Sequence, residues 1–320
     1  PYGFIENERF VELPGLYDDN PVFTGRPGMM APTWVHKDVD LLICQKAVEY
    51  IETQVNTDKP FFLYLTPSAP HEPCLESFVP EFARGKSDAG PRGDMVWLVD
   101  WIVGQVVEAL ERTGQVENTL IFVTSDNGAL PGDRLLNEQG EEIYRLYDHQ
   151  SCGDWRGYKA HIWDGGHREP LIARWPGIIE PGTTTDELTC LTDLMATCAA
   201  IVGFDLPGNT AEDSDNILPA LKGEYLEKPL REALIHHSGL GIFSVRQGPW
   251  KVIFETQGSG GWPPPCGSLP DPGMPGQLYN IEEDPAEEQN LWDDHPEVIR
   301  QLTALLDRYK KEGRSAPLTR

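Results

Sequence analysis

The chain has 320 residues, with 51 Asp or Glu against 26 Lys or Arg, so its formal net charge is −25 with histidine neutral. A hydrophobic fraction of 39% over this length can form a sizeable core, which excludes a disordered or fibrous protein. The acidic charge argues against a nucleic-acid-binding protein, because phosphate contacts need a basic surface. No stretch approaches the length of uninterrupted apolar sequence that a membrane span requires, so we expect no membrane span.

The first 40 residues are rich in Pro, Gly and Asp, and we predict irregular structure there, without a strand or helix. They lack an initiator Met, a basic flank and an apolar signal core, so we expect a chain that was cut or processed at its start. The six cysteines form no CxxC pair and no metal-finger spacing. Buried or unpaired thiols are therefore the expected state, with one disulfide as the alternative.

Two helical patterns alternate with two apolar runs of strand length in the first half of the chain. Residues 38–53 and 94–113 have apolar side chains at helical spacing, and Gly114 is a suitable helix terminator. Residues 61–66 and 120–125 are continuous apolar runs, as expected of strands that are buried on both faces. Strand, helix and strand in this order predict a right-handed parallel crossover.

Polar residues follow both predicted strands. His71 comes shortly after the first strand, and Asp126 and Asn127 come directly after the second. Ligands of α/β sheets bind outside the carboxyl ends of parallel strands. We therefore expect a functional site at this edge of the sheet.

The second half of the chain changes from α/β patterning to short strands. A polar excursion at 129–157, often a functional feature in a compact domain, precedes a third strand at 171–175 and a helix at 188–202. After residue 225 the pattern predicts a small antiparallel sheet. A last helix is expected to begin at Asp294, with Glu297 completing a capping box. The four strands of the small sheet are predicted at 233–237, 242–246, 250–254 and 277–281.

Three short segments carry side chains suited to chemistry on an anion. Asp126 and Asn127 offer oxygen ligands for Ca²⁺ or Mg²⁺, although an Asx turn or a helix cap explains such a pair equally well. His71 lies on a proline-rich turn and could donate a proton, or it could have a structural role. Lys159 could bind an anion or simply be solvated. Downstream of Lys159, a double glycine at 165–166 permits close backbone approach.

Taken together, these segments give the chain a family resemblance. The motifs PHEP, TSDNG, GYK and DGGHREP occur in this order and are followed by LIARWPG. In this combination the chain resembles the type I sulfatases of the alkaline phosphatase superfamily, and the likeness covers most residues from 38 to 312. Asp164 stands where that family more often has Glu, a departure that we expect to affect packing more than chemistry.

The resemblance implies a fold and a domain division. It implies an α/β fold with a mixed, mostly parallel sheet sandwiched by helices, like that of alkaline phosphatase, followed by a small C-terminal antiparallel sheet plus helix. On this basis residues 1–224 are expected to form the C-terminal part of the catalytic domain. Residues 225–320 are expected to form a small α+β subdomain.

The resemblance also implies roles for individual residues. Asp126 and Asn127 become metal ligands, with Ca²⁺ the usual ion and Mg²⁺ an alternative. His71 and Lys159 become catalytic, sulfate-binding residues. His71 would assist protonation of the leaving alcohol, and Lys159 would neutralise charge on the sulfuryl oxygens.

One element of the sulfatase pattern is missing. Sulfatases use a formylglycine made from Cys or Ser in the motif Cys/Ser-x-Pro/Ala-x-Arg, and the chain contains no such motif. Cys152 and Arg156 have the right offset, but Asp154 occupies the Pro or Ala position. The paired N-terminal aspartates of the family are also absent. We therefore expect an N-terminally truncated sulfatase with its formylglycine in a missing segment, an exposed sheet edge, and no activity of the chain in isolation.

The resemblance implies that the full-length protein is a sulfuric ester hydrolase. A sulfated carbohydrate is the expected substrate, and the periplasm or the cell exterior is the expected location. His161 and His167 flank the site segment as further candidate substrate contacts. Two alternatives stay open: a phosphomonoester or phosphodiester hydrolase of the same superfamily, and a non-catalytic binder of sulfated glycans.

Overall fold

The structure is a computed structural model that describes residues 2–19, 27–130, 149–255, 258–261 and 273–317, together with the backbone of 135–136 and 142–143. The described residues form two compact units. The first contains those up to Thr119 and the two short strands at 135–136 and 142–143. The second contains Leu120–Leu130 and the described residues from Ser151 onward. The division into domains at residues 224 and 225 stays a prediction.

The N-terminal part of the first unit contains short antiparallel ribbons. Strand β1 (Ile5–Glu6) pairs with β2 (Arg9–Phe10), and β3 (Leu16–Asp18) pairs with β4 (Gly28–Met30). The prediction that this region has no strands was wrong. Strands of two or three residues are too short to show a readable alternation of apolar and polar side chains.

Two helices form the core of the first unit, and both were predicted. Helix α1 (Val39–Thr53) and helix α2 (Gly90–Arg112) pack against each other, and Gly114 has the positive φ of 70° that suits a residue just beyond a helix. A cluster of buried apolar side chains lies between and beside them. The core includes Cys44, Ala69, Cys74, Val79, Ala83, Met95, Leu98 and Ile102, with Trp97 and Trp101 packed against it.

The segment 61–66 is extended but is not a strand buried on both faces. Phe62 and Tyr64 are 74% and 78% exposed. The alternating residues Leu63 and Leu65 are half-buried. No strand among the described residues pairs with this segment. The prediction of a buried strand was therefore wrong, because burial of both faces requires neighbours that an apolar sequence alone does not supply. The parallel crossover that depended on this strand is therefore not seen among the described residues, where every pair of named strands is antiparallel.

The second unit begins with the strand that precedes Asp126. The strand is β5 (Ile121–Thr124), and its partner in the sheet is β8 (Leu171–Arg174). Between them along the chain lie the two short strands of the first unit, β6 (Leu135–Leu136) and β7 (Glu142–Ile143). Strands β5 and β8 pair antiparallel, with Thr124 opposite Leu171. This register places the end of β5 beside the start of β8, so both predicted strands are present. Residues of β5 are half-buried or exposed, and the prediction that this strand is buried on both faces was wrong. Most of the predicted excursion at 129–157 lies outside the described residues.

The rest of the second unit contains the predicted C-terminal sheet. Its strands are antiparallel in the order β12-β11-β10-β9, which confirms the small sheet. The last helix begins at Pro296 rather than at Asp294, with His295 before it, so the predicted capping residue was wrong. The elements are α3 (Asp193–Val202), α4 (Leu218–Leu221), β9 (Leu234–His237), β10 (Phe243–Gln247), β11 (Trp250–Ile253), β12 (Gln277–Asn280) and α5 (Pro296–Glu312).

Helix α5 covers one face of this sheet. Leu302, Leu305 and Tyr309 lie on one stripe of the helix and pack with Val245 and Val252 of the sheet. The predicted α/β class, with a C-terminal antiparallel sheet and helix, is confirmed. Among the described residues, no helix is both long and apolar enough to cross a membrane.

Truncation of Leu302 should destabilise the second unit. Leu302 is 1% exposed, so Leu302→Ala should lower the free energy of unfolding by about 2–5 kcal/mol through lost burial and a cavity. Asp307→Ala, at an exposed position of the same helix, should change it by less than about 0.5 kcal/mol. Urea unfolding monitored by tryptophan fluorescence measures both values. Equal effects of the two variants would show that α5 does not pack as described.

Candidate active site

The turn that carries His71 is fixed to helix α1 by a buried carboxylate. Asp40 accepts hydrogen bonds from the Ser68 backbone N at 2.7 Å, the Ser68 hydroxyl at 2.9 Å and the Ala69 backbone N at 2.9 Å. His71 is exposed, and its Nδ1 donates to the Glu72 carbonyl at 2.8 Å, which orients the ring. Sequence reasoning missed Asp40, because an acidic residue in the first turn of a helix is ordinary.

Backbone hydrogen bonds in the second unit join the segment that carries Asp126 and Asn127 to the segment that carries Lys159. Gly128 N donates to Gly166 O at 3.1 Å, and Lys159 N donates to Ala129 O at 2.8 Å. The end of β5 is thus joined on one side to the double-glycine segment and on the other to the lysine segment. His71 belongs to the first unit.

Glycines in these segments allow three stretches of backbone to touch. A Cβ atom on Gly128 would lie 1.9 Å from the Gly165 carbonyl oxygen, and one on Gly165 would lie 2.3 Å from the Gly157 carbonyl oxygen. A Cβ atom on Gly166 would lie 2.3 Å from the His161 carbonyl oxygen. The sequence indicated close backbone approach at the double glycine, and here the approaching backbone is the protein's own.

Asp164, at the start of the double-glycine segment, is the centre of a buried ion network. Its carboxylate lies 2.6 Å from Lys251 Nζ, 3.2 Å from Arg168 Nε and 3.4 Å from Arg246 Nη1. Burial alone would raise the pKa of Asp164, but the Lys251 ammonium and the two guanidinium groups hold it well below its usual value. Asp164 is therefore ionised, and its ion pairs anchor the loop.

Lys251 also contacts a second carboxylate. Its Nζ lies 2.8 Å from Glu287 Oε1, and Glu287 Oε2 accepts a hydrogen bond from the Asp164 backbone N at 2.6 Å. Burial raises the pKa of Glu287, while the Lys251 cation opposes that shift. The sequence did not indicate this network, because its members are distant along the chain.

Glu169 is a further acidic group beside the strand end. Burial, followed by the negative charges of Asp126 and Asp164, raises the pKa of Glu169 to about 7. A carboxyl group with this pKa changes protonation near neutral pH. Sequence reasoning missed the raised pKa of Glu169, because the DGGHREP motif alone does not indicate how deeply its glutamate is buried.

Histidines surround the double-glycine segment. The rings of His167 and His236 lie 4.5 Å apart, centre to centre, and His161 is buried with its ring 5.6 Å from that of Trp163. Burial, helped by the Lys251 cation, lowers the pKa of His167 to about 4, and burial also lowers the pKa of His236. Both imidazoles are therefore neutral at neutral pH. Substrate contact by His161 or His167 stays a prediction.

The oxygen donors at the strand end match part of a calcium site. Asp126 supplies a carboxylate and Asn127 an amide oxygen, the hard donors that Ca²⁺ binds. Ca²⁺ takes about six to eight oxygen ligands, which is more than these two residues offer. Among the described residues, no group of three or more His, Cys, Asp or Glu is placed to hold a metal ion. The donors thus fit the ion in kind, and their number falls short of a complete site.

Comparison with known protein families gives two matches along the chain. Residues 1–204 match the sulfatase model, and residues 230–318 match the model for the C-terminal region of aryl-sulfatase. The two matches together cover most of both units and include every candidate site residue.

Individual relatives agree with these matches. The chain is 31% identical over 312 residues to an N-acetylgalactosamine-6-O-sulfatase of Bacteroides thetaiotaomicron, covering 95% of this chain and 59% of the relative. It is 34% identical to human arylsulfatase A over 267 residues, covering 78% of this chain and 48% of the relative. The chain therefore spans about half to three fifths of the length of these curated relatives.

Solved structures show the same fold. One from work on the metabolism of multiple glycosaminoglycans by Bacteroides thetaiotaomicron superposes with a TM-score of 0.74 at 28% identity, covering 89% of this chain and 57% of that one. A sulfatase from Pseudoalteromonas superposes with a TM-score of 0.71 at 26% identity, covering 92% of this chain and 57% of that one.

Adding a methyl group to Gly165 should disrupt the site segment. The new Cβ atom would overlap the Gly157 and Arg156 carbonyl oxygens, at 2.3 and 2.7 Å, so the backbone must shift. Gly165→Ala should therefore lower the free energy of unfolding by about 2 kcal/mol or more. Gly104→Ala is the control, because no atom lies within 4 Å of its added Cβ in helix α2 and it should stabilise by up to about 1 kcal/mol. Urea unfolding distinguishes the two, and a Gly165→Ala variant as stable as the wild type would contradict the packing.

Glu169 should make stability depend on pH. Its folded pKa of about 7 lies above the ordinary 4.5, so folding favours the protonated form. This contribution is fully present below pH 4.5 and is lost as pH rises through 7. Glu169→Gln stays neutral, so it should be more stable than the wild type at pH 8 by about 1 kcal/mol, a value discounted for partial exposure, and the difference should shrink at pH 5.

Urea unfolding at both pH values, with a chelator present, measures this difference. Exposed Glu180→Gln is the matched control for the substitution itself. A constant difference between Glu169→Gln and the wild type from pH 5 to pH 8 would contradict the raised pKa.

Proposed function

Because the chain belongs to the sulfatase family, we propose that the protein carrying it hydrolyses sulfate esters of carbohydrates. One observation supports this proposal: the hydrogen bond from Lys159 N to Ala129 O joins the lysine segment to the strand end that carries Asp126 and Asn127. The named relative that acts on N-acetylgalactosamine 6-O-sulfate and the neighbour from glycosaminoglycan metabolism support a sulfated glycan as the substrate class. The proposed location is the periplasm or the cell exterior, where such glycans occur.

Lys159 is proposed to bind and stabilise the sulfuryl group. Sulfate ester hydrolysis concentrates negative charge on the sulfuryl oxygens, and a fixed ammonium group lowers the energy of that charge. The Lys159 backbone is held by Ala129 O, so the start of its side chain has a defined position. On this proposal, the Lys159 ammonium contacts the sulfuryl oxygens as negative charge develops on them.

His71 is proposed to donate a proton to the leaving alcohol. Its ring is oriented by the bond from Nδ1 to the Glu72 carbonyl, and the turn beneath it is held by Asp40. A histidine with an exposed ring on an anchored turn can present a ring N–H to a leaving oxygen and act as a general acid. Its action would lower the cost of expelling an alkoxide from the sugar.

Asp126 and Asn127 are proposed as two ligands of a divalent cation, with Ca²⁺ preferred to Mg²⁺. When bound, such an ion neutralises charge on the sulfate oxygens. The proposed nucleophile is a formylglycine, and the 320 residues contain no Cys/Ser-x-Pro/Ala-x-Arg motif to which it can be assigned. The steps assigned to this chain are therefore sulfate binding by Lys159 and proton donation by His71.

Removal of the Lys159 ammonium should impair hydrolysis. In the protein that carries this chain, Lys159→Ala should lower kcat/KM for a 6-O-sulfated N-acetylgalactosamine substrate by about 100-fold or more, because a charge-stabilising donor is lost. Lys222→Ala is the matched control, since it removes an exposed lysine that pairs with Glu224. Release of inorganic sulfate in the presence of Ca²⁺ measures both.

The corresponding phosphate ester separates the proposal from its alternatives. Faster turnover of that ester would identify a phosphohydrolase instead. Binding of the sulfated sugar without turnover would identify a non-catalytic glycan-binding protein. Equal activity of Lys159→Ala and Lys222→Ala would remove Lys159 from the site.

A further inference from the structure

We propose that Lys251 and Glu287, in the region that matches the C-terminal part of aryl-sulfatases, are positioning residues for the site. They hold in place the backbone that carries Lys159 and the Asp126–Asn127 pair. Their proposed effect on catalysis rests on the proposed function, whereas their effect on backbone position does not. The inference is carried by a continuous series of short contacts within the second unit.

The first contacts form a clamp on Asp164. Lys251 Nζ binds the Asp164 carboxylate at 2.6 Å, and Glu287 Oε2 accepts from the Asp164 backbone N at 2.6 Å. The Lys251 and Glu287 side chains have no exposed surface, and they bind each other at 2.8 Å. The side chain and the backbone of a single residue are thus held by two groups of the C-terminal region.

The next contacts run from Asp164 to the end of β5. Gly165 and Gly166 follow Asp164 directly, and Gly166 O accepts from Gly128 N at 3.1 Å. The Gly128 and Gly165 backbones touch so closely that no side chain fits between them. Displacement of Asp164 would therefore move Gly128, the residue that follows Asp126 and Asn127.

A parallel set of contacts runs to Lys159. Arg156 O accepts from Gly165 N at 2.7 Å, and the Arg156 guanidinium donates to the Glu287 carbonyl at 2.6 Å. The same guanidinium lies 3.9 Å from the centre of the Trp163 ring, and Trp163 Nε1 donates to Gln277 at 2.8 Å. Residues 156–166, which include Lys159, are therefore held at both ends by the C-terminal region.

The directional contacts of Lys251 and Glu287 explain why charged rather than apolar side chains are buried beside Asp164. A buried ion pair is a weak source of net stability, because desolvation of its charges offsets their attraction. Apolar side chains of similar volume would fill the space but would not fix the orientation of the Asp164 peptide. The ion pair and the backbone hydrogen bond fix that orientation, and the glycines transmit it to the site.

The proposal is tested by hydrogen exchange in the whole protein. Lys251→Met should raise amide exchange rates in peptides covering residues 126–130 and 156–166 by about tenfold or more, because the clamp opens. Arg231→Met is the matched control, since it removes an equally buried cation that pairs with Asp193 and Asp215 in the same unit. In that variant, exchange in the two peptides should stay within about threefold of the wild type.

A second pair of variants serves if Lys251→Met does not fold. Glu287→Gln keeps an oxygen that can accept from the Asp164 backbone N, whereas Glu287→Ala removes it. Exchange in the two peptides should stay within about threefold of the wild type for Gln and rise by about tenfold for Ala. Equal exchange in these two variants would overturn the role of Glu287.

Kinetics connect the clamp to catalysis. Lys251→Met should lower kcat/KM for the sulfate ester by about tenfold or more, and Arg231→Met should leave most of it. A rise in exchange that is equal in both variants overturns the proposal, because it indicates general destabilisation. If the wild-type protein hydrolyses no sulfate ester, the proposed function fails, and the exchange measurement still decides the positioning role.

Discussion

The ion pair between Asp164 and Lys251 is the interaction on which the rest of the candidate site depends. It places an ionised carboxylate and a fully buried ammonium at the point where the double-glycine segment meets the C-terminal sheet. The charges of this pair reach the neighbouring groups. Burial is the main cause of the lowered pKa of His167 and of the raised pKa of Glu169, and the Lys251 cation and the Asp164 anion add to these two shifts respectively. The buried pair thus holds the backbone and contributes to the pKa values of neighbouring groups.

Close backbone packing links the Asp164–Lys251 pair to the segments that carry the candidate site residues. The antiparallel pairing of β5 with β8 brings the end of one strand beside the start of the other. Glycines at 128, 165 and 166 then permit contact distances that any side chain would prevent. Because protein interiors are densely packed, a shift of one of these backbone segments displaces the segment that packs against it. The strand pairing and the glycines are therefore parts of one arrangement.

The local charge at the site differs from that of the whole chain. The net charge of −25 repels anions at long range, yet several cations lie close together around Asp164. Arg168, Arg246 and Lys251 contact Asp164, and Lys159 is joined to the adjoining strand end. Screening at physiological salt weakens the long-range repulsion much more than these short contacts. The local balance of charge around Asp164 therefore differs from the acidic balance of the whole chain.

Sequence reasoning succeeded where structure follows from local pattern. Helices α1, α2 and α5 and the four strands of the C-terminal sheet were predicted, because spacing of apolar residues reports which face is buried. The prediction of a buried strand at 61–66 was wrong, because strand pairing depends on neighbouring strands and not only on an apolar sequence. The short ribbons before residue 31 were missed for lack of a readable period.

The sequence by itself determined the family, through the order of its motifs, and it nominated His71, Asp126, Asn127 and Lys159. Only the tertiary structure decided what holds these residues. Lys251 lies 87 positions from Asp164 along the chain, and no sequence pattern indicates that the two residues pair. The raised pKa of Glu169 likewise depends on burial that no motif records. The physical reason is that helix and strand patterns are local, whereas desolvation and ion pairing arise from groups that meet only when the chain folds.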